Sequence, residues 1–76
     1  MTQLSHRNMG QTIHVRFDGR SEELTLAMLN LDNTATDAQI KHSIATHFDL
    51  PAHHLDRHVV VRTGQAIIVR PEAIYG

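Results

Sequence analysis

The chain contains no cysteine and very few aromatic residues, and these shortages exclude several kinds of protein. Without cysteine, no disulfide framework can stabilise the fold. The aromatic residues Phe17, Phe48 and Tyr75 are too few for a platform on which nucleic-acid bases stack. No apolar run exceeds four residues, so we expect no membrane span and no contact with a membrane.

Charge of one sign is also lacking, because the formal net charge at pH 7 is −1. Dedicated nucleic-acid binders carry a basic excess, so we expect no nucleic acid among the partners. The chain has neither a glycine-rich phosphate loop nor a Gly-x-Ser-x-Gly elbow, and it has no thiol nucleophile. We therefore predict a protein that is not an enzyme and needs no cofactor. The polar N-terminus lacks the apolar stretch of a secretory signal, and together with the missing cysteine this predicts a cytoplasmic location.

What is present indicates one small domain. A chain of 76 residues has room for a single core. Residues 1–10 show no periodicity, and we interpret them as a disordered leader to a domain over residues 11–76. Residues 12–18 alternate strictly between apolar and polar side chains, which predicts a half-buried strand. Asp18-Gly19 predicts a tight turn, and residues 22–26 predict the returning strand.

Residues 37–48 are predicted to form the helix. Thr36 and Gln39 have the spacing of a capping box, and Ile40, Ile44 and Phe48 recur every four residues on one face. Two more strands follow over residues 58–62 and 66–70, joined by residues 63–65. The order strand-strand-helix-strand-strand predicts an α+β fold, ββαββ, whose four-stranded mixed sheet carries one helix packed on one face. If the first and last strands pair in parallel, the strand order is 2-1-4-3.

The pattern resembles the ubiquitin-like β-grasp family. Three segments carry the resemblance: the opening hairpin at residues 13–19, the helix capped by Thr36, and the closing strand at residues 67–70. Domains of that family commonly bind proteins through the sheet face opposite the helix, using an apolar patch among basic residues. The resemblance therefore implies a protein-binding domain, acting as a monomer or a weak homodimer, whose partner the sequence does not name.

The alternation of side chains along a strand selects the residues of this candidate surface. We predict that Val59, Val61, Ile67 and Val69 face the helix, so that Val60 and Ile68 form an apolar centre on the other sheet face. The candidate binding residues are then His14, Arg16, His58, Val60, Arg62, Ile68 and Arg70. The alternative interpretation is that β-branched residues stand on exposed strands simply because they suit them.

Two further hypotheses come from other parts of the chain. The resemblance implies that a C-terminal glycine, here Gly76, is the point of attachment in a covalent modifier or a sulfur carrier. However, Tyr75 stands where that family has a second glycine. The seven histidines suggest a metal or pH responder. His53, His54 and His58 form the candidate metal site, and the alternative is that they are solvated surface residues.

Overall fold

The computed structural model describes residues 11–72, so the predicted leader and Gly76 lie outside the described residues. The elements, in chain order, are β1 (Thr12–Phe17), β2 (Arg20–Thr25), a short 3₁₀ helix (Ala27–Leu29), α1 (Asp37–His47), β3 (His58–Arg62) and β4 (Ala66–Pro71). The four strands form one sheet in the order β2-β1-β4-β3. Strands β1 and β4 pair in parallel at its centre, and both outer pairs are antiparallel. The predicted ββαββ arrangement, its mixed sheet and its strand order are confirmed.

The first hairpin, β1–β2, closes through two residues in the left-handed region. Asp18 has φ 52° and Gly19 has φ 76°, between the paired residues Phe17 and Arg20. Positive φ at both central positions gives the type I′ geometry, whose twist matches that of the flanking strands. The Asp-Gly pair therefore sets the register of this hairpin.

Helix α1 begins with the predicted capping box. The Thr36 hydroxyl accepts a hydrogen bond from the Gln39 N–H at 3.1 Å, and the Gln39 side chain accepts one from the Thr36 N–H at 2.8 Å. Just before it, Asp32 accepts hydrogen bonds from the Thr34 hydroxyl at 2.6 Å and from the Thr34 N–H at 2.9 Å. These bonds hold the pKa of the Asp32 carboxyl below its ordinary value.

The core lies between α1 and one face of the sheet. Phe17 packs against Phe48 in a tilted arrangement with ring centroids 5.1 Å apart, and no polar residue of the described chain is buried. The buried residues are Ile13, Val15, Phe17, Leu24, Leu26, Ala35, Ile40, Ile44, Ala45, Leu55, Ile67 and Val69. The other face of the sheet has no helix packed on it within residues 11–72, and we call it the open face. None of the helices described is both long and apolar enough to cross a bilayer.

Candidate functional site: the open face of the sheet

The register of the strands defines the open face. On β1 the buried side chains are Ile13, Val15 and Phe17, so His14 and Arg16 point to the open face. His14 pairs with Glu23 on one side and with Ile68 on the other. Four of the seven candidate binding residues lie on this face: His14, Arg16, Ile68 and Arg70.

The predicted orientation of β3 is wrong. Val60 pairs with Val69, which is fully buried, and Val60 itself packs against the core. Because residues directly opposite each other share a face, the helix side of β3 carries His58, Val60 and Arg62. These three candidate residues therefore do not belong to the open face, whereas Val59 and Val61 do.

The reason is the length of one loop. The sequence prediction joined the strands through residues 63–65, which would place Val60 opposite Ile68. In the structure Thr63 donates its N–H to the Ala66 carbonyl at 2.8 Å, so the loop contains only two residues. A shift of one residue moves every side chain of a strand to the opposite face.

Arg62 connects β3 to the start of α1. Its guanidinium donates to the Asp37 carboxylate at 2.7 Å and to the Ala35 carbonyl at 2.9 Å. Both acceptors lie at the helix N-terminus, so the side chain ties an edge strand to the helix that covers the core. Arg62 therefore supports the fold from the helix face instead of lining a partner surface.

His58 supplies a hydrogen bond that the sheet itself cannot make. In the parallel pair, the register places the N–H of residue 71 opposite the Arg16 carbonyl, but residue 71 is proline and has no N–H. The His58 Nε2 lies 2.8 Å from that carbonyl oxygen. Because a carbonyl can only accept, the bond requires a proton on Nε2. His58 thus replaces the donor that Pro71 lacks.

Sequence reasoning missed two of the three residues that make the apolar part of the open face, Val59 and Val61. We define the valine patch as Val59, Val61 and Ile68: Val61 pairs with Ile68, and Val59 pairs with Arg70. Val61 is 36% exposed, and the other two side chains are half-buried. The run Val59-Val60-Val61 has no alternation, so only the length of the hairpin loop could have revealed which valines point outward.

Arg16 and Arg70 border the valine patch. Val15 pairs with Val69, so the next step along the same parallel register brings these two arginines side by side on neighbouring strands. Both side chains are exposed. The ion pairs of residues 11–72 use other cations, namely Arg20 with Glu22, His54 with Asp18, and Arg62 with Asp37. This end of the open face therefore carries positive charge that no carboxylate of the described chain neutralises.

Two of the three histidines proposed as metal ligands make hydrogen bonds elsewhere in the fold. The His54 Nε2 lies 3.1 Å from both carboxylate oxygens of Asp18, and the His58 Nε2 bonds to the Arg16 carbonyl. Across residues 11–72 no three histidine or acidic side chains come together as metal ligands would. The metal site predicted at His53, His54 and His58 is therefore corrected: two of its three rings hold loops and strands together.

Comparison with known proteins adds no relative. The chain matches no family model, no characterised protein and no solved structure. The small mixed sheet with one helix is compatible with a β-grasp-like fold, and the geometry described above is what bears on function.

Proposed function

We propose that this protein is a non-catalytic, ubiquitin-like binding domain whose open sheet face docks a protein partner. The observation that carries the proposal is the valine patch, Val59, Val61 and Ile68, on a sheet face that no described element covers. Apolar side chains at the centre of a surface with arginines at its rim have the composition that protein interfaces favour. The surface is revised from the sequence prediction, with Val59 and Val61 in place of His58, Val60 and Arg62.

The two sides of the sheet differ in a way that supports binding over catalysis. On the helix side the apolar residues of β1 and β4 are at most 2% exposed, whereas the valine patch keeps apolar area in contact with water. This partly apolar face offers area for a partner, and the clefts beside it on residues 11–72 are open to solvent, unlike the enclosed pockets that position small substrates. The resemblance to ubiquitin-like domains points to the same face, since members of that family bind through it.

The partner is expected to complement both parts of the surface. The valine patch accepts apolar side chains, and the arginines at its border favour acidic residues beside them. We therefore propose a partner segment that combines apolar and acidic side chains. Charge of this kind increases the association rate and selects the partner, while burial of the apolar centre supplies most of the affinity.

The test is a capture experiment followed by a binding measurement. The tagged full chain is used to capture proteins from a lysate beside two variants, Val61→Asp on the open face and Thr46→Glu on the exposed side of α1. A protein retained by the full chain and by Thr46→Glu, but lost with Val61→Asp, is then purified and titrated calorimetrically. We expect Val61→Asp to weaken its affinity by about tenfold or more, since a charge is placed in the apolar centre of the contact.

Two outcomes would contradict the proposal. If Val61→Asp keeps its affinity for the purified partner while Thr46→Glu loses it, the helix and not the sheet is the contact surface. If capture survives denaturing washes and requires Gly76, the protein acts by covalent attachment. Circular dichroism of both variants controls for folding.

A further inference from the structure

A cleft at one end of the open face is lined by three arginines and one aspartate: Arg16, Arg20, Arg70 and Asp18. It lies beside the turn of the first hairpin and has a volume of about 310 Å³. Arg16 and Arg70 line it from neighbouring strands, and the rest of its wall is formed by Pro71 and by residues 17–20 of the first hairpin.

The two arginines have no counterion of their own. Neither guanidinium lies within ion-pair distance of a carboxylate in residues 11–72. The hydrogen bond of the Arg70 side chain runs to the neighbouring Pro71 carbonyl at 3.4 Å, which neutralises no charge. Like charges opposite each other on adjacent strands are unfavourable, and an anion placed between them removes that repulsion.

The remaining charged groups of the cleft are already paired. Asp18 directs both carboxylate oxygens to His54 at 3.1 Å, on the side of the loop that precedes β3. Arg20 binds Glu22 at 2.7 Å, and its guanidinium lies 5.0 Å from the centre of the Phe17 ring. The cleft therefore offers two free guanidinium groups next to an occupied carboxylate.

We propose that this cleft binds a carboxylate carried by the protein partner, an inference that rests on the proposed docking surface. Arginine forks bind carboxylates through two parallel N–H···O bonds. Asp18 sets the preference, because its negative charge in the wall disfavours a phosphate dianion more than a carboxylate with a single charge. Val59 pairs with Arg70, so a segment lying on the valine patch brings an acidic side chain directly to the cleft.

The first test uses sodium acetate as the probe on the full chain, with chloride as its replacement at constant ionic strength. Backbone amide shifts are followed by NMR. We expect saturable shifts centred on residues 16–20 and 70–72, weakened about fivefold or more by Arg16→Gln or Arg70→Gln. Arg57→Gln, an exposed arginine that does not line the cleft, is the matched control and keeps the response. Shifts that persist in a variant carrying both Arg16→Gln and Arg70→Gln overturn the proposal.

A second test places the carboxylate within the chain. Ser21 pairs with Arg16 across the first hairpin and faces the same side of the sheet. Ser21→Glu should raise the melting temperature relative to the neutral Ser21→Gln in low salt, lose that advantage in high salt, and remove the acetate response. Equal melting temperatures at every salt concentration overturn the proposal.

These measurements separate the cleft from the docking surface. Val61→Asp lies in the valine patch and outside the cleft, so it should leave the acetate response unchanged while it weakens partner binding. If Arg16→Gln and Arg70→Gln lose the acetate response but keep their affinity for the partner, the cleft does not bind a carboxylate of that partner, and the docking surface stands. Unchanged partner affinity in Val61→Asp, with the acetate response intact, refutes the docking surface.

Discussion

The two hairpins of this protein reach their registers by different means. The first hairpin closes through Asp18 and Gly19, both with positive φ, between strands whose side chains alternate strictly on β1. The second, β3–β4, closes through Gly64 and Gln65, and the Thr63 hydroxyl makes the bonds that hold this loop. The backbone conformation of the turn specifies the first register. The Thr63 side chain and tertiary contacts specify the register of the second hairpin. Its local sequence does not determine which side of β3 faces the helix.

Substitutions on the two faces of β3 should give the largest difference in stability. Val60→Asp should destabilise the fold by about 2–3 kcal/mol, because it places a charge against the core. Val61 is the next residue and lies on the open face, so Val61→Asp should lower the stability by less than about 1 kcal/mol. Urea denaturation of both variants measures the difference. The reverse order would show that β3 faces the other way and would restore the sequence prediction.

The two turn glycines provide the next comparison. Gly19→Ala should cost about 1–2 kcal/mol, because alanine must adopt the left-handed conformation at φ 76°. Gly64 has no positive φ, and a Cβ there meets nothing within 4 Å. Gly64→Ala should therefore be neutral or stabilising by up to about 1 kcal/mol, through a smaller entropy of the unfolded chain. Thermal unfolding of both variants measures these changes in stability. Equal losses of stability would show that the two turns do not differ in their need for glycine.

The bond between His58 and the Arg16 carbonyl is expected to contribute about 1 kcal/mol. His58→Ala should therefore lower the free energy of unfolding by this amount. The loss should be smaller in a Pro71→Ala background, where the N–H at position 71 can bond to the same carbonyl. A double-mutant cycle cancels the separate effects of each substitution and isolates this coupling. Additive losses would show that Pro71 and His58 do not serve the same acceptor.

The loop of the second hairpin gives the smallest effect. Thr63→Val keeps the shape of the side chain but removes the hydroxyl that accepts from the Gln65 and Ala66 N–H groups at 3.1 and 2.9 Å. Because these groups are exposed and water can replace the hydroxyl, we expect a loss of about 0.5–1 kcal/mol. Faster amide exchange at residues 65 and 66, with the first hairpin unchanged, is the corresponding local measurement. Unchanged exchange would show that Thr63 does not hold the loop.

Most of the fold follows from local chemistry. Alternation on β1, the Asp18-Gly19 turn and the box formed by Thr36 and Gln39 act between near neighbours, so their consequences are visible in the sequence. The strand order also follows, because two hairpins and one crossover helix leave few ways to build a single sheet. The face on which the candidate residues of β1 and β4 lie therefore followed from the sequence.

Which residues of β3 belong to the candidate surface could be learned only from the tertiary structure. Three consecutive valines offer either face to the core with equal ease, and only the two-residue loop and the contact of Val60 with the core choose between them. The partners of Arg62, His54 and His58 lie 25 or more residues away in the chain, so no spacing in the sequence predicts these contacts. Short-range geometry is therefore determined by the sequence alone. Which valines, arginines and histidines remain free to meet a partner is decided by long-range packing, since a side chain held by the fold is no longer available to another molecule.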